Sequence, residues 1–210
     1  MAVTLTECRL ALSNELLSCS SLLRVAHTQD ALGKYMFTEQ QRASVVEVAF
    51  LRAYTSWEGF MENAFLSYLL GEPSRQGVVF PAHVSPTDSG HALKLVVGAG
   101  IHVSWTDPSK VADLTRVYFC GTDPFKVPLD SAASDLRDMY TIRNAIAHSG
   151  RLAQAPLESL GHRLLAKSVP GITPAQLLLS SRRAKPVFPT YFAYFVDQMT
   201  IAADSIADGV

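Results

Sequence analysis

Arg143-Asn144-Ala145-Ile146-Ala147-His148 sets an arginine and a histidine five positions apart, with a polar side chain directly after the arginine. A fixed cation beside a titratable imidazole can hold a phosphate and move a proton next to it. The guanidinium stays charged at any physiological pH and meets phosphate oxygens through a planar fork. Imidazole has an ordinary pKa of about 6.5, close to neutrality. If RNA enters such a site, the 2′-OH beside each phosphate is a nucleophile already in place. His148 can then act as the base for that hydroxyl or as the acid for the leaving 5′-oxygen. Arg143 can clamp the charge on the phosphoryl oxygens. Neither role calls for a metal or any other cofactor. Asn144 can orient the histidine or the phosphate by hydrogen bonding.

The spacing makes a demand on the backbone. On an ideal helix five positions turn through about 500°, so Arg143 and His148 point roughly 140° apart and lie about 7.5 Å apart along the axis. Two arrangements bring their heads to one site. The helix can end near His148, as Ser149-Gly150 signals, which frees the histidine to swing. Alternatively, the same segment of a second copy supplies the partner residues across a two-fold axis. The reading taken here combines the two.

The element that carries the pair is a long helix over about 130–149, with Leu136, Met139, Tyr140, Ile142 and Ile146 as its apolar residues. Tyr140 lies just under one turn before Arg143, where it either lines the same groove or packs in the core. Upstream, Leu5, Cys8, Leu12, Leu16, Cys19, Leu23 and Ala26 recur at spacings of three and four, one face of an amphipathic helix. Thr4 with Glu7 has the form of a capping box at its start. A second long helix is expected over about 38–70, with Phe50, Tyr54, Trp57, Met61, Phe65 and Tyr68 as its stripe and Gly71-Glu72-Pro73 as its stop. Trp57 and Tyr54 lie on that stripe and read as core rather than as base-stacking platforms.

Prolines punctuate residues 71–131, which read as the irregular part, with short helices over about 89–97 and from Asp107-Pro108 to about Phe119. Thr173-Pro174 with Gln176 marks another helix start, and a last helix runs over about 190–207. Nothing alternates with period two over a useful length. The sum is one all-α domain over 1–210: a helical bundle with an elaborated insertion at about 71–131, between its second and third long helices.

Composition narrows the partners. Hydrophobic residues make up 48% of the 210, enough for a packed core. The formal net charge of -1 carries no whole-chain signal for nucleic acid. Its distribution is uneven. Residues 143–188 hold Arg143, Arg151, Arg163, Lys167, Arg182, Arg183 and Lys185 against Glu158 alone, whereas residues 1–142 are net acidic. The basic run reads either as solvated loops or as a phosphate-facing surface beside the Arg/His pair, with Arg151 the nearest RNA-binding candidate.

Cys8, Cys19 and Cys120 are odd in number and lack metal-ligand spacing. Cys8 and Cys19, on an apolar helical face, read as buried thiols of a reducing compartment. His27, His83, His91, His102 and His162 show no ligand spacing, so no metal is expected. The early Glu7 and Arg9, without a basic lead or a long apolar run, do not read as a secretion signal. No stretch approaches the roughly 18 apolar residues of a membrane span. The expectation is a cytoplasmic protein with no membrane partner.

Two motifs together give the chain a resemblance. Arg143 to His148 matches the R-x(4–6)-H motif of the HEPN superfamily (higher eukaryotes and prokaryotes nucleotide-binding), with its polar residue after the arginine. Arg52 to Gly71, R-A-Y-T-S-W-E-G-F-M-E-N-A-F-L-S-Y-L-L-G, resembles the W-E-x-F-x-E helix of the RiboL-PSP-HEPN subgroup. Ser104-Trp105-Thr106-Asp107-Pro108 and Tyr118-Phe119 are similar to that subgroup's insertion. The resemblance covers roughly residues 40–150. It implies a four- or five-helix bundle that pairs into a homodimer. In active members it implies a metal-independent endoribonuclease, often in toxin–antitoxin or phage-defence settings, with an antitoxin or other protein as a further partner.

By position, Arg143 and His148 are then the active-site pair and Asn144 its polar companion. Glu58 and Glu62 lie four apart on one face of the second long helix. The preferred role for Glu58 is to hold or orient Arg143; the alternative is two solvated carboxylates. Other members of the superfamily only bind or dimerise, so a non-catalytic RNA- or nucleotide-binding module and a dimerising adaptor are the rival readings.

Overall fold

The computed structural model describes residues 3–98, 103–148, 150–182 and 190–210. These form eight helices: α1 (Leu5–Ala26), α2 (Glu39–Leu69), α3 (Ser89–Val97), α4 (Pro108–Tyr118), α5 (Lys126–Ala147), α6 (Arg151–Leu165), α7 (Pro174–Leu179) and α8 (Tyr191–Asp208). Among the described residues no strand forms, and extended pairing is limited to two isolated bridges, Gln29 with Tyr35 and Ala82 with Phe119. The protein is all-α.

Local chemistry sets the helix starts. The Thr4 N–H donates to Glu7 Oε2 (2.8 Å) and the Glu7 N–H to Thr4 Oγ1 (3.2 Å), the reciprocal capping box foreseen at α1. Thr38 and Gln41 cap α2 in the same way, as do Thr173 and Gln176 at α7. Asp107 accepts from the Ser109 N–H ahead of Pro108 and starts α4.

The chain divides into two compact units, neither of them contiguous in sequence. The first comprises Met1–Ser13, Ser56–Leu136 and Gln198–Val210; the second comprises Asn14–Thr55 and Arg137–Asp197. In the first unit Phe65 is the centre of an aromatic cluster, with the rings of Trp105 and Phe119 each 5.3 Å away and that of Phe125 5.5 Å away. Polar groups there are paired: Trp105 Nε1 donates to Glu62 Oε2 (2.8 Å), the Tyr68 hydroxyl to the Ile206 carbonyl (2.6 Å), and Arg9 to both carboxylate oxygens of Asp204. Glu62 is therefore bonded to Trp105 rather than merely solvated. Trp57 is fully buried, as its place on the stripe suggested.

In the second unit Phe50, Ile142, Leu157, Leu177 and Phe195 are buried together with Tyr54. The Tyr191 hydroxyl donates to the Leu164 carbonyl (2.7 Å), and Glu15 pairs with Arg52. Asp138, on α5, is buried and accepts from Arg163 of α6. That ion pair ties the two helices together far from the corner that joins them.

Two features depart from the sequence expectation. The third long helix begins at Lys126 instead of about 130. Pro128 falls in its first turn, where a missing N–H leaves no helical bond unmade, and Asp123 Oδ1 accepts the Phe125 and Lys126 N–H groups. The second departure is α6, which was not foreseen at all. Gly150, read as part of the stop of the preceding helix, is the N-cap of α6, and Pro156 sits in its second turn. At Gly161 a Cβ would come within 2.8 Å of Val169 Cγ2, so this glycine permits close packing rather than a turn. No helix among the described residues is long and apolar enough to cross a membrane.

Candidate functional site

α5 ends at Ala147, so His148 lies just beyond the helix. Its backbone still closes a helical bond, the N–H donating to the Asn144 carbonyl at 2.9 Å. The chain then turns: the Gly150 N–H donates to the His148 carbonyl (3.1 Å), and the Gly150 carbonyl accepts from both Ala153 and Gln154 (3.0 Å each) to start α6. Ser149, part of the expected stop signal, lies outside the described residues. The helix end that the first of the two arrangements requires is thus present.

The corner opens a concavity of about 1020 Å³ within the second unit. One wall is the end of α5, with Tyr140, Thr141, Arg143, Asn144 and Ala147. The other is the start of α6, with Gly150, Arg151, Leu152, Ala153 and Pro156, and His148 stands between them. Of the residues singled out from sequence, Tyr140, Arg143, Asn144, His148 and Arg151 meet here. Tyr140 faces solvent at 51% exposure, which settles its alternative in favour of the groove. Glu58 lies on α2, in the first unit, and is not among the residues that line the concavity. Arg143 donates from Nη1 to the side-chain oxygen of its neighbour Asn144 (3.2 Å). Asn144 therefore serves the site twice, through its amide oxygen on the arginine and its carbonyl on the histidine N–H.

The electrostatics of the concavity run in one direction. Arg143, Arg151 and His148 line it, and no Asp or Glu does among the described residues. The N-terminus of α6 adds to this, because its first N–H groups carry partial positive charge and no side chain caps them. Arg151 at that end is placed against the helix dipole. Such an arrangement costs stability when empty and rewards an arriving anion.

Two further cations of the basic run are engaged elsewhere. Arg163 pairs with Asp138, and the Arg182 guanidinium stacks on the Tyr194 ring with its carbon 3.6 Å from the centroid. Arg183 and Lys185 lie outside the described residues. Glu158, the acidic member of the run, accepts from Gln154 Nε2 and from the Gly171 N–H, and these two bonds hold its carboxyl below the usual carboxylate range. The basic surface read from composition thus reduces, at the concavity, to Arg143 and Arg151.

The α6 wall escaped the sequence reading because its helix did. Its residues could have been found from Gly150 as cap together with Leu157, Leu160 and Leu165, which keep helical spacing after Pro156. Among the described residues no group of three or more His, Cys, Asp or Glu is placed to hold a metal ion. No family model, no curated protein and no solved structure matches this chain.

Proposed function

We propose that the protein is a metal-independent endoribonuclease of HEPN type, acting on RNA through 2′-OH attack, as a toxin or phage-defence effector does. The observation that carries this reading is the carboxylate-free concavity in which Arg143, Arg151 and His148 share one wall-to-wall space with an uncapped helix N-terminus. Phosphate is the ligand whose charge and geometry such a site fits. Arg143 stabilises the charge that builds on the phosphoryl oxygens. His148, exposed at the corner, exchanges a proton with the attacking or leaving oxygen. Arg151 holds a neighbouring phosphate, and the exposed Tyr140 ring offers a base a stacking face. A second copy meeting the first at this rim would bring its own Arg143 and His148 to the same RNA, which makes a homodimer part of the proposal. The place of action in this reading is the cytoplasm, and an antitoxin would be a natural neutralising partner.

The test is cleavage of single-stranded RNA by purified protein beside its His148→Ala and Arg143→Ala variants. Cleavage should be lost in both, should persist in the presence of a chelator, and should leave 2′,3′-cyclic phosphate ends. An RNA with 2′-deoxy at the scissile position should resist. Cleavage undiminished in both variants refutes the mechanism. Salt-sensitive binding without any bond broken moves the assignment to a non-catalytic RNA-binding module.

A further inference from the structure

Cys120 and His83, neither of which the site above uses, face each other on the surface of the first unit. The segment after α4 pairs with the segment before α3 through the antiparallel bridge between Ala82 and Phe119. The His83 N–H donates to the Tyr118 carbonyl and the Cys120 N–H to the Pro81 carbonyl, each at 2.8 Å. Residues 83 and 120 are therefore diagonal neighbours on one face of the pairing, a separation that a histidine side chain can span. Phe80 and Phe119 are buried on either side and anchor the bridge. The result is a contact of 3.2 Å between Cys120 Sγ and His83 Nδ1, with both residues open to solvent.

We propose that Cys120, with His83 as its proton acceptor, is a thiol–disulfide exchange site for small-molecule disulfides of the glutathione class. The thiol proton passes across the contact to His83 Nδ1. The sulfur then attacks one sulfur of the disulfide R–S–S–R, so that a Cys120–S–S–R bond forms and the original S–S bond breaks. The departing R–S⁻ takes the proton back from the imidazolium and leaves as R–SH. One thiol and one disulfide become one mixed disulfide and one thiol, with no further oxidant required. The other two cysteines do not compete. Cys8 and Cys19 are buried, and burial pushes the Cys8 thiol up and the Cys19 thiol up to about 11. Both are thus starved of the thiolate that reacts.

The experiment follows the full-length protein with a chromogenic aromatic disulfide at pH 7, and locates the adduct formed with glutathione disulfide by mass spectrometry. The expected result is one fast equivalent at Cys120, about tenfold faster than the same cysteine in an unstructured peptide of residues 117–123. Cys120→Ser should remove the fast phase. His83→Gln should slow it about tenfold while the melting temperature stays where it was. The proposal is overturned if Cys120 reacts no faster than the peptide, if the adduct maps to Cys8 or Cys19, or if a folded His83→Gln protein keeps the fast phase. The peptide comparison decides the matter even if that variant loses its fold.

Discussion

Replacing Arg143 by alanine separates a functional arginine from a structural one. The guanidinium is half-buried, and its Nη1 makes one long hydrogen bond, 3.2 Å, to a neutral amide oxygen. No carboxylate among the described residues lines the space around it. Truncation therefore strands no buried countercharge and opens no cavity in the core. The effect on stability should stay within about 0.5 kcal/mol, as for other changes that touch none of the usual destabilising mechanisms. For a chain of this size that amounts to about 2 °C or less in Tm. The effect on the proposed reaction is of another order. Removing one preorganised donor from a developing oxyanion costs about 2.7–4 kcal/mol, or roughly 10²–10³ in kcat. Arg143→Lys keeps the charge but not the fork, and should recover only part of the loss. The assay is single-turnover cleavage of a fluorophore–quencher RNA at saturating protein, read beside thermal melting of the same preparations. Activity within threefold of wild type, or a melting temperature lower by many degrees, would refute the reasoning: the first denies the clamp and the second makes Arg143 a pillar of the fold.

Three further outcomes are expected. Arg151→Ala should weaken RNA binding and flatten the slope of log affinity against log salt by about 0.7, the share of one phosphate contact on a single strand; an unchanged slope places Arg151 off the RNA. Leu157, fully buried on α6, should cost about 2–5 kcal/mol when cut to alanine, seen as a lower urea midpoint, and a loss under 1 kcal/mol would mean that α6 is not packed as described. Asp204 accepts from Arg9 and Arg75, and the Arg9 hydrogen bond in particular holds its carboxyl below the ordinary range. A depressed folded value gives stability that is present above the ordinary carboxylate pKa and is lost as pH falls through the lower folded one. The gap in urea midpoint between wild type and Asp204→Asn should thus be full at pH 7 and should close below about pH 4; a gap that stays constant down to pH 3 excludes the linkage.

Periodicity and caps carried most of the fold. The α1 face from Leu5 to Ala26 and the α2 stripe from Phe50 to Tyr68 are buried as the spacing implied, with Leu23 only half-buried. The boxes at Thr4 and Thr173 start the helices they marked. The start of α5 read as irregular and α6 was not read at all, in each case where a proline or glycine is present for a reason other than a turn. Pro128 sits in a first turn that needs no N–H. Gly161 sits where a Cβ would strike Val169. The first reason belongs to the position in a helix start, and the second is a packing contact that spacing alone does not report. The same limit applied at the site. Arg143 and His148 were legible as a pair because both lie on one segment, and the helix end that reconciles their angles was signalled by the small and glycine residues after them. That Arg163 would be paired with Asp138 and Arg182 stacked on Tyr194, leaving Arg151 to the groove, depends on distances between helices, and composition could only report their sum.

The concavity is built from consecutive chain, from Tyr140 through one corner to Pro156. The buried leucines of α6 and the Arg163–Asp138 pair fix the phase of the second wall, so one residue added or removed in its first turn, between Arg151 and Leu157, would swing Arg151 by about 100° about the helix axis. Arg151 would then leave the groove while Arg143 stayed, with every side chain of the motif still present. Chain length in that turn, more than the identity of the residues in it, is what inheritance of this site would have to preserve.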